Sequence, residues 1–222
     1  MKKQEQIFVE RSYCNEYEDD KCFIFGDSGI TYPLKMMSDG YKSAADKLCL
    51  QYLKEQNDIV DNNLVFPICF LYRHSIELRL KHIAFYYSMP AAKEKTSQYA
   101  IDRQDILRNK HDIKKLWACD LNLLEDRIVK FGVSQELIHE IEQGIDYVNQ
   151  IDHYSFSMRY PMEMKLDREQ DEIQITDLHK SRHIISVKCL YKGYGQLWDN
   201  LNEFSSQMDD LFSSYIKKSS LL

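Results

Sequence analysis

The sequence predicts an all-α bundle with a small β-hairpin inserted before a long C-terminal helix. Three observations lead there. Only seven of the 222 residues are Gly and four are Pro, so turn signals are sparse and long helices are favoured. Leu64 to Tyr87 is a long apolar run with helical period. From Val187 to Tyr215, apolar residues return roughly every 3.5 positions (Val187, Leu190, Tyr194, Leu197, Leu201, Phe204, Met208, Leu211, Tyr215), a seam suited to a partner helix.

Taken in order, residues 1–34 read as a charged, irregular arm laid on the domain by Phe8, Tyr13, Tyr17, Phe23 and Phe25. Residues 35–222 then form a single helical domain. Residues 35–56 read as an amphipathic helix with Met36, Tyr41, Ala44, Ala45, Leu48, Tyr52 and Leu53 inward. A polar break at Asp58–Asn63 precedes the central helix, which is expected to end at Ser88-Met89-Pro90. Residues 91–109 are polar and give no clear element. Lys110–Trp117 and Asp120–Phe131 read as two short helices. Ser134 opens another, whose Leu137, Ile138, Ile141, Ile145, Val148 and Ile151 keep the helical period. Met162–Leu166 and Glu172–Thr176, around a charged centre, suggest the hairpin. Asp177–Lys218 is then one long helix, or two broken near Gly193–Gly195.

Composition narrows the function classes. The net charge of −6 disfavours a broad basic surface, so a nucleic-acid partner would be gripped by a local cluster of Arg, Lys and His. Six scattered cysteines form no C-x-x-C pair, the first residues carry no apolar signal core, and no run is long enough to span a membrane. A reduced, cytoplasmic protein with no membrane association is expected. No Gly-rich loop cradles a phosphate, no G-x-S-x-G is present, and no cofactor is called for. His179-x-x-x-His183 would put two imidazoles on one helix face, but no third metal ligand follows at suitable spacing.

The central helix carries charge where a buried helix should not. On a wheel of about 100° per residue, Val65, Cys69, Ile76, Leu80 and Ile83 form one apolar flank, and Leu71, Leu78 and Phe85 another. Between them runs a polar stripe of Arg73, His74, Glu77 and Lys81, with Ser75, Arg79 and His82 opposite. A helix apolar on two flanks is packed on two sides, and charges on it need partners or a wet cleft. Three further polar islands follow: His111-Asp112, Asp152-His153 and Arg159-Tyr160-Pro161.

With these islands in order, Y-R-H-x-x-E-L-x-L-K (Tyr72 to Lys81), H-D-x-x-x-L-W (His111 to Trp117) and D-x-x-S-x-x-x-R-Y-P (Asp152 to Pro161), the chain resembles the HEPN superfamily of helical-bundle proteins over about residues 64–161. The resemblance implies a dimeric all-α bundle of the kind found in prokaryotic toxin–antitoxin, antiviral defence and RNA-processing systems, with many members metal-independent ribonucleases. The family signature is an Arg and a His separated by four to six residues. This chain has none: seven residues separate Arg103 from His111, none separates Arg73 from His74, and His153 and Arg159 stand in the reverse order.

Residue chemistry bears on the same point. RNA cleavage without a metal needs a base for the 2′-OH, an acid for the leaving 5′-oxygen, and a cation that forks onto the phosphate. Arg73, His74, His111 and Arg159 are candidate catalytic residues of the right types, with Glu77, Lys81, Asp152 and Tyr160 as binding residues. Each has a plainer reading. Arg73, Glu77 and Lys81 at i, i+4 and i+8 make a surface ion ladder. His74 is a core-edge histidine, Asp112 is a helix cap, and Arg159 pairs with Asp152 at a corner fixed by Pro161. Two functions follow from the resemblance. One is a HEPN-like ribonuclease or RNA-targeting effector of a defence or toxin–antitoxin system. The other is a catalytically inactive HEPN-like module that dimerises and recognises a partner protein or a nucleotide.

Overall fold

The computed structural model describes residues 31–54, 62–93, 111–152, 158–160, 162–167, 172–177 and 185–219. Five α-helices make up its body: α1 (Thr31–Lys54), α2 (Val65–Lys93), α3 (Ile113–Phe131), α4 (Gln135–Ile151) and α5 (Val187–Ser219). A 3₁₀ turn, Asn62–Leu64, leads into α2. Between α4 and α5, β1 (Met162–Asp167) and β2 (Glu172–Asp177) pair antiparallel, with Met162 opposite Asp177 and Leu166 opposite Ile173. No helix among the described residues is long and apolar enough to cross a membrane.

Helix α2 is the hub, packing against α1, α3 and α5, while α4 packs on α5 and α3. Its Ile68, Cys69, Tyr72, Ile76, Leu80, Ile83, Ala84 and Tyr87 are all buried. Each aliphatic side chain removed from water contributes about 1.5–3 kcal/mol, so this helix anchors the core. Polar tips of its aromatic residues tie the neighbours on. The Tyr72 hydroxyl donates to Asp46 on α1 at 2.8 Å, its ring stacks on Tyr194 of α5 at 4.5 Å, and the Tyr87 hydroxyl donates to the Ser205 carbonyl at 2.8 Å. The C-terminal seam is interior: Leu190, Tyr194, Leu197, Leu201, Phe204 and Met208 are buried within the chain.

Local chemistry sets the element ends. Asp112 caps α3 by accepting from the Lys115 amide at 3.1 Å. Gly132 ends α3 in the left-handed region at φ 65°, and the Val133 amide bonds back to the Ile128 carbonyl. Ser134 then caps α4, so α3 and α4 join through a tight corner. Helices α4 and α5 approach at two glycines: a Cβ on Gly144 would meet Leu197 Cδ1 at 2.9 Å, and one on Gly193 would meet Tyr147 Cε1 at 2.5 Å.

Several expected boundaries move. Helix α1 begins at Thr31, with Pro33 in its first turn where a missing amide is harmless, and Met36 and Leu53 lie exposed, not inward. Helix α2 continues through Pro90 to Lys93, because Ala91, Ala92 and Lys93 are strong helix formers that carry it past the break. The two short helices expected over 110–131 are one, since nothing between Trp117 and Asp120 breaks a helix. Helix α5 is likewise unbroken at Gly193–Gly195, where Gly193 serves packing against Tyr147 instead of a turn. The arm at 1–30, the polar segment at 94–110, His153, His179 and His183 lie outside the described residues.

Candidate functional site

The polar stripe of α2 turns inward. Arg73 is fully buried and Glu77 is 1% exposed, one helical turn along. Their side chains do not form a solvated ladder. Arg73 Nε donates to the Asp152 carbonyl and Nη2 to the His111 carbonyl, both at 2.7 Å, while Nη1 lies 3.9 Å from Glu77 Oε2. A single guanidinium thus holds the end of α4 and the entrance to α3 against α2, using the fixed fork that Lys lacks. Burial pulls Arg73 below its ordinary value, and the charges of Asp152 and Glu77 pull it back.

Glu77 is the hub of the cluster. Lys81 Nζ donates to Oε1 at 2.6 Å, and His111 Nδ1 lies 3.0 Å from both oxygens. His74 Nδ1 is 3.9 Å from Oε2. Burial alone would push the Glu77 carboxyl up; His74, Lys81 and His111 outweigh it and bring it down to about 2 from an ordinary 4.5. At neutral pH Glu77 is therefore a carboxylate, which only accepts hydrogen bonds. Nδ1 of His111 must carry the proton between them. This leaves Nε2 as the nitrogen not engaged by Glu77, on a side chain that is 45% exposed.

His74 is held by its faces. It stacks on Phe70 with centroids 5.5 Å apart and planes 9° from parallel, and Tyr41 of α1 meets it edge-on at 4.7 Å. Beyond Phe70, the Arg159 guanidinium lies 5.7 Å from the Phe70 ring centre and 5.9 Å from that of Tyr160. Arg159 and Tyr160 are both exposed.

Of the eight residues singled out from sequence, five gather around one carboxylate or its supporting carbonyls: Arg73, His74, Glu77, Lys81 and His111. Asp152, the residue ending α4, enters through its main-chain carbonyl and through its charge on Arg73. Arg159 and Tyr160 join the same surface one aromatic ring away, through Phe70. Arg73 is buried too deeply to touch a ligand in this arrangement and acts through the groups it holds. Asp112, beside His111, caps α3 as the plainer reading expects.

Sequence reasoning set Tyr41 among the inward residues of its helix and did not count it or Phe70 among the site residues, yet the two orient His74. Phe70 stands four residues before His74, a spacing that puts the two rings in contact on a helix. It also passed over Asp120, which is fully buried with both carboxylate oxygens lacking a hydrogen-bond partner among the described residues, so that burial holds its carboxyl well above the usual range. Its position on the Ile113–Leu116–Trp117–Leu124 stripe was the available signal. Among the described residues no group of three or more His, Cys, Asp or Glu side chains is arranged to hold a metal. The chain matches no family model, no curated protein and no solved structure.

Proposed function

We propose that this chain is a HEPN-like, metal-independent ribonuclease, an RNA-targeting effector of a prokaryotic defence or toxin–antitoxin system, working as a homodimer. The observation that carries the reading is that two imidazoles, His74 and His111, approach the same oxygen of a buried carboxylate. Glu77 fixes the proton on Nδ1 of His111 and turns Nε2 outward. One imidazole, unprotonated, takes the proton of a 2′-OH as its oxygen bonds to the adjacent phosphorus. The other, protonated, gives its proton to the 5′-oxygen as the P–O bond to it breaks. The products are a 2′,3′-cyclic phosphate and a free 5′-hydroxyl. Lys81, half-buried beside Glu77, and Arg159 supply positive charge for the phosphate.

Incubating the chain with RNA in EDTA tests this. Cleavage leaving cyclic-phosphate ends, lost in both His74→Ala and His111→Ala, is the expected result. Intact RNA in the presence of folded protein overturns it.

A second reading has its own support: an inactive HEPN-like module that dimerises and recognises a partner protein or a nucleotide. Arg73 is spent on internal groups, two main-chain carbonyls and Glu77, and α1 carries exposed Met36, Met37, Leu50 and Leu53, apolar side chains of the kind that association covers. Uncut RNA together with a sedimenting dimer that Leu50→Glu dissociates would select it.

A further inference from the structure

The N-terminal half of α2 carries more than the acid–base pair needs. Phe66, Phe70 and His74 stand at i, i+4 and i+8, a single line of rings about 6 Å apart along the helix. Phe66 is 40% exposed, although it is large and apolar. Arg159 lies over the Phe70 ring, and Tyr160 beside it is 50% exposed. Lys81 stands at the other end, beyond Glu77 and His111. The rings therefore flank the imidazole pair on one side only, with a cation on either side of it.

Flat rings interleaved with a guanidinium are the chemistry that takes unpaired nucleobases, since every base has a π-face and the phosphate between two bases meets the cation. A duplex hides those faces. A protein partner is better served by α1, whose exposed Met36, Met37, Leu50 and Leu53 are aliphatic or thioether side chains among lysines and offer no aromatic ring for a base to stack on.

We infer that Phe66, Arg159 and Tyr160, set around Phe70, form a stacking platform for single-stranded RNA, gripping two or so unpaired nucleotides on one side of the bond that His74 and His111 would cleave. The inference rests on the ribonuclease reading for that last clause, and its test separates the two. The probe is a fluorescein-labelled ten-residue 2′-O-methyl oligonucleotide, which has no 2′-OH to be cut, compared with its duplex of equal length. Binding is read by anisotropy against the unaltered chain at several salt concentrations.

The single strand is expected to bind at least about tenfold tighter than the duplex. Phe66→Ala and Tyr160→Ala each weaken it about tenfold, while Tyr160→Phe keeps the ring and the affinity. Arg159→Ala lowers the slope of log affinity against log salt by about 0.7, one phosphate contact on a single strand. Both aromatic positions are exposed, so the variants fold, and circular dichroism checks that they have. Duplex binding as tight as the single strand, no binding, or alanine variants that bind like the parent each overturn the platform. If the parent cleaves RNA while those variants bind unchanged, the platform falls and the ribonuclease stands. If the oligonucleotide binds as expected while RNA stays whole, the platform stands and the ribonuclease falls.

Discussion

Replacing Glu77 by Gln is the sharpest perturbation available, because it removes one charge and almost no volume. The carboxylate is 1% exposed and has Lys81 at 2.6 Å, His111 at 3.0 Å, and Arg73 and His74 at 3.9 Å. Without it, Arg73 stays buried with no countercharge on its own helix. Removing one partner of a buried pair costs about 3–5 kcal/mol. The titration of Glu77 supplies an independent figure. Its carboxyl falls from an ordinary 4.5 to about 2, and at about 1.4 kcal/mol for each tenfold change in acidity this is on the order of 3 kcal/mol. A carboxyl lowered in the folded state stabilises fully above its unfolded value and loses that contribution as pH falls towards its folded value. Urea unfolding followed by circular dichroism should therefore place Glu77→Gln about 3 kcal/mol below the parent at pH 7. The gap should narrow below about pH 4.5 and close near pH 2. A variant as stable as the parent at pH 7, or a deficit that does not change with pH, refutes the hub.

Two further predictions concern packing and a second buried acid, Asp120. Asp120→Asn should stabilise the fold at pH 8 by on the order of 1 kcal/mol, because it removes a charge that burial disfavours while leaving a polar amide in the same place. The gain should shrink towards pH 4, because a carboxyl raised in the folded state favours folding below its unfolded value of about 3.8 and loses that contribution as pH rises through its folded value. Thermal unfolding at the two pH values checks the sign, and a destabilised variant at pH 8 would mean that Asp120 has a charged partner. Gly193→Ala should destabilise by about 1–3 kcal/mol through overpacking against Tyr147. Adding Tyr147→Ala should recover part of that loss; a double variant no better than Gly193→Ala alone would place the strain elsewhere.

The helical class and the buried faces were legible because periodicity reports burial directly. Of the α4 stripe, Leu137, Ile138, Ile141, Ile145 and Val148 are buried and Ile151, at the helix end, is half-buried. Boundaries were less legible where one residue type has two uses. Pro90 reads as a terminator, yet three helix formers after it sustain α2. Gly193 reads as a break, yet its missing Cβ is what lets Tyr147 of α4 lie close to α5. At the site, the wheel placed Arg73, His74, Glu77 and Lys81 on one stripe, but it carries no information about depth. That Glu77 is the centre and Arg73 a strut depends on where the carbonyls of His111 and Asp152 fall, 38 and 79 residues away in the chain. Long-range main-chain acceptors leave no mark on side-chain type, which is why the roles within the cluster were not readable before the fold.

Asp120 and Glu77, two of the three buried acids among the described residues, bear on the role proposed for the cluster. Asp120 and Glu77 are equally hidden, yet burial raises one carboxyl and the other is lowered against the same penalty. The difference lies in the cations that α2 and the start of α3 bring within 4 Å of Glu77. As a device for stability alone this is a poor one, since well-packed apolar side chains in place of a buried ion cluster are often neutral or stabilising. What apolar packing could not do is set the proton on His111. An imidazole whose Nδ1 faces an obligate acceptor, whose main-chain carbonyl is held by Arg73 and whose ring remains 45% exposed has one nitrogen fixed and one free to work. Arg73 holds the backbone of that residue and Glu77 its ring. A strut and an anchor converging on a half-open histidine make sense as positioning, and positioning is what an acid–base group requires before its chemistry can begin.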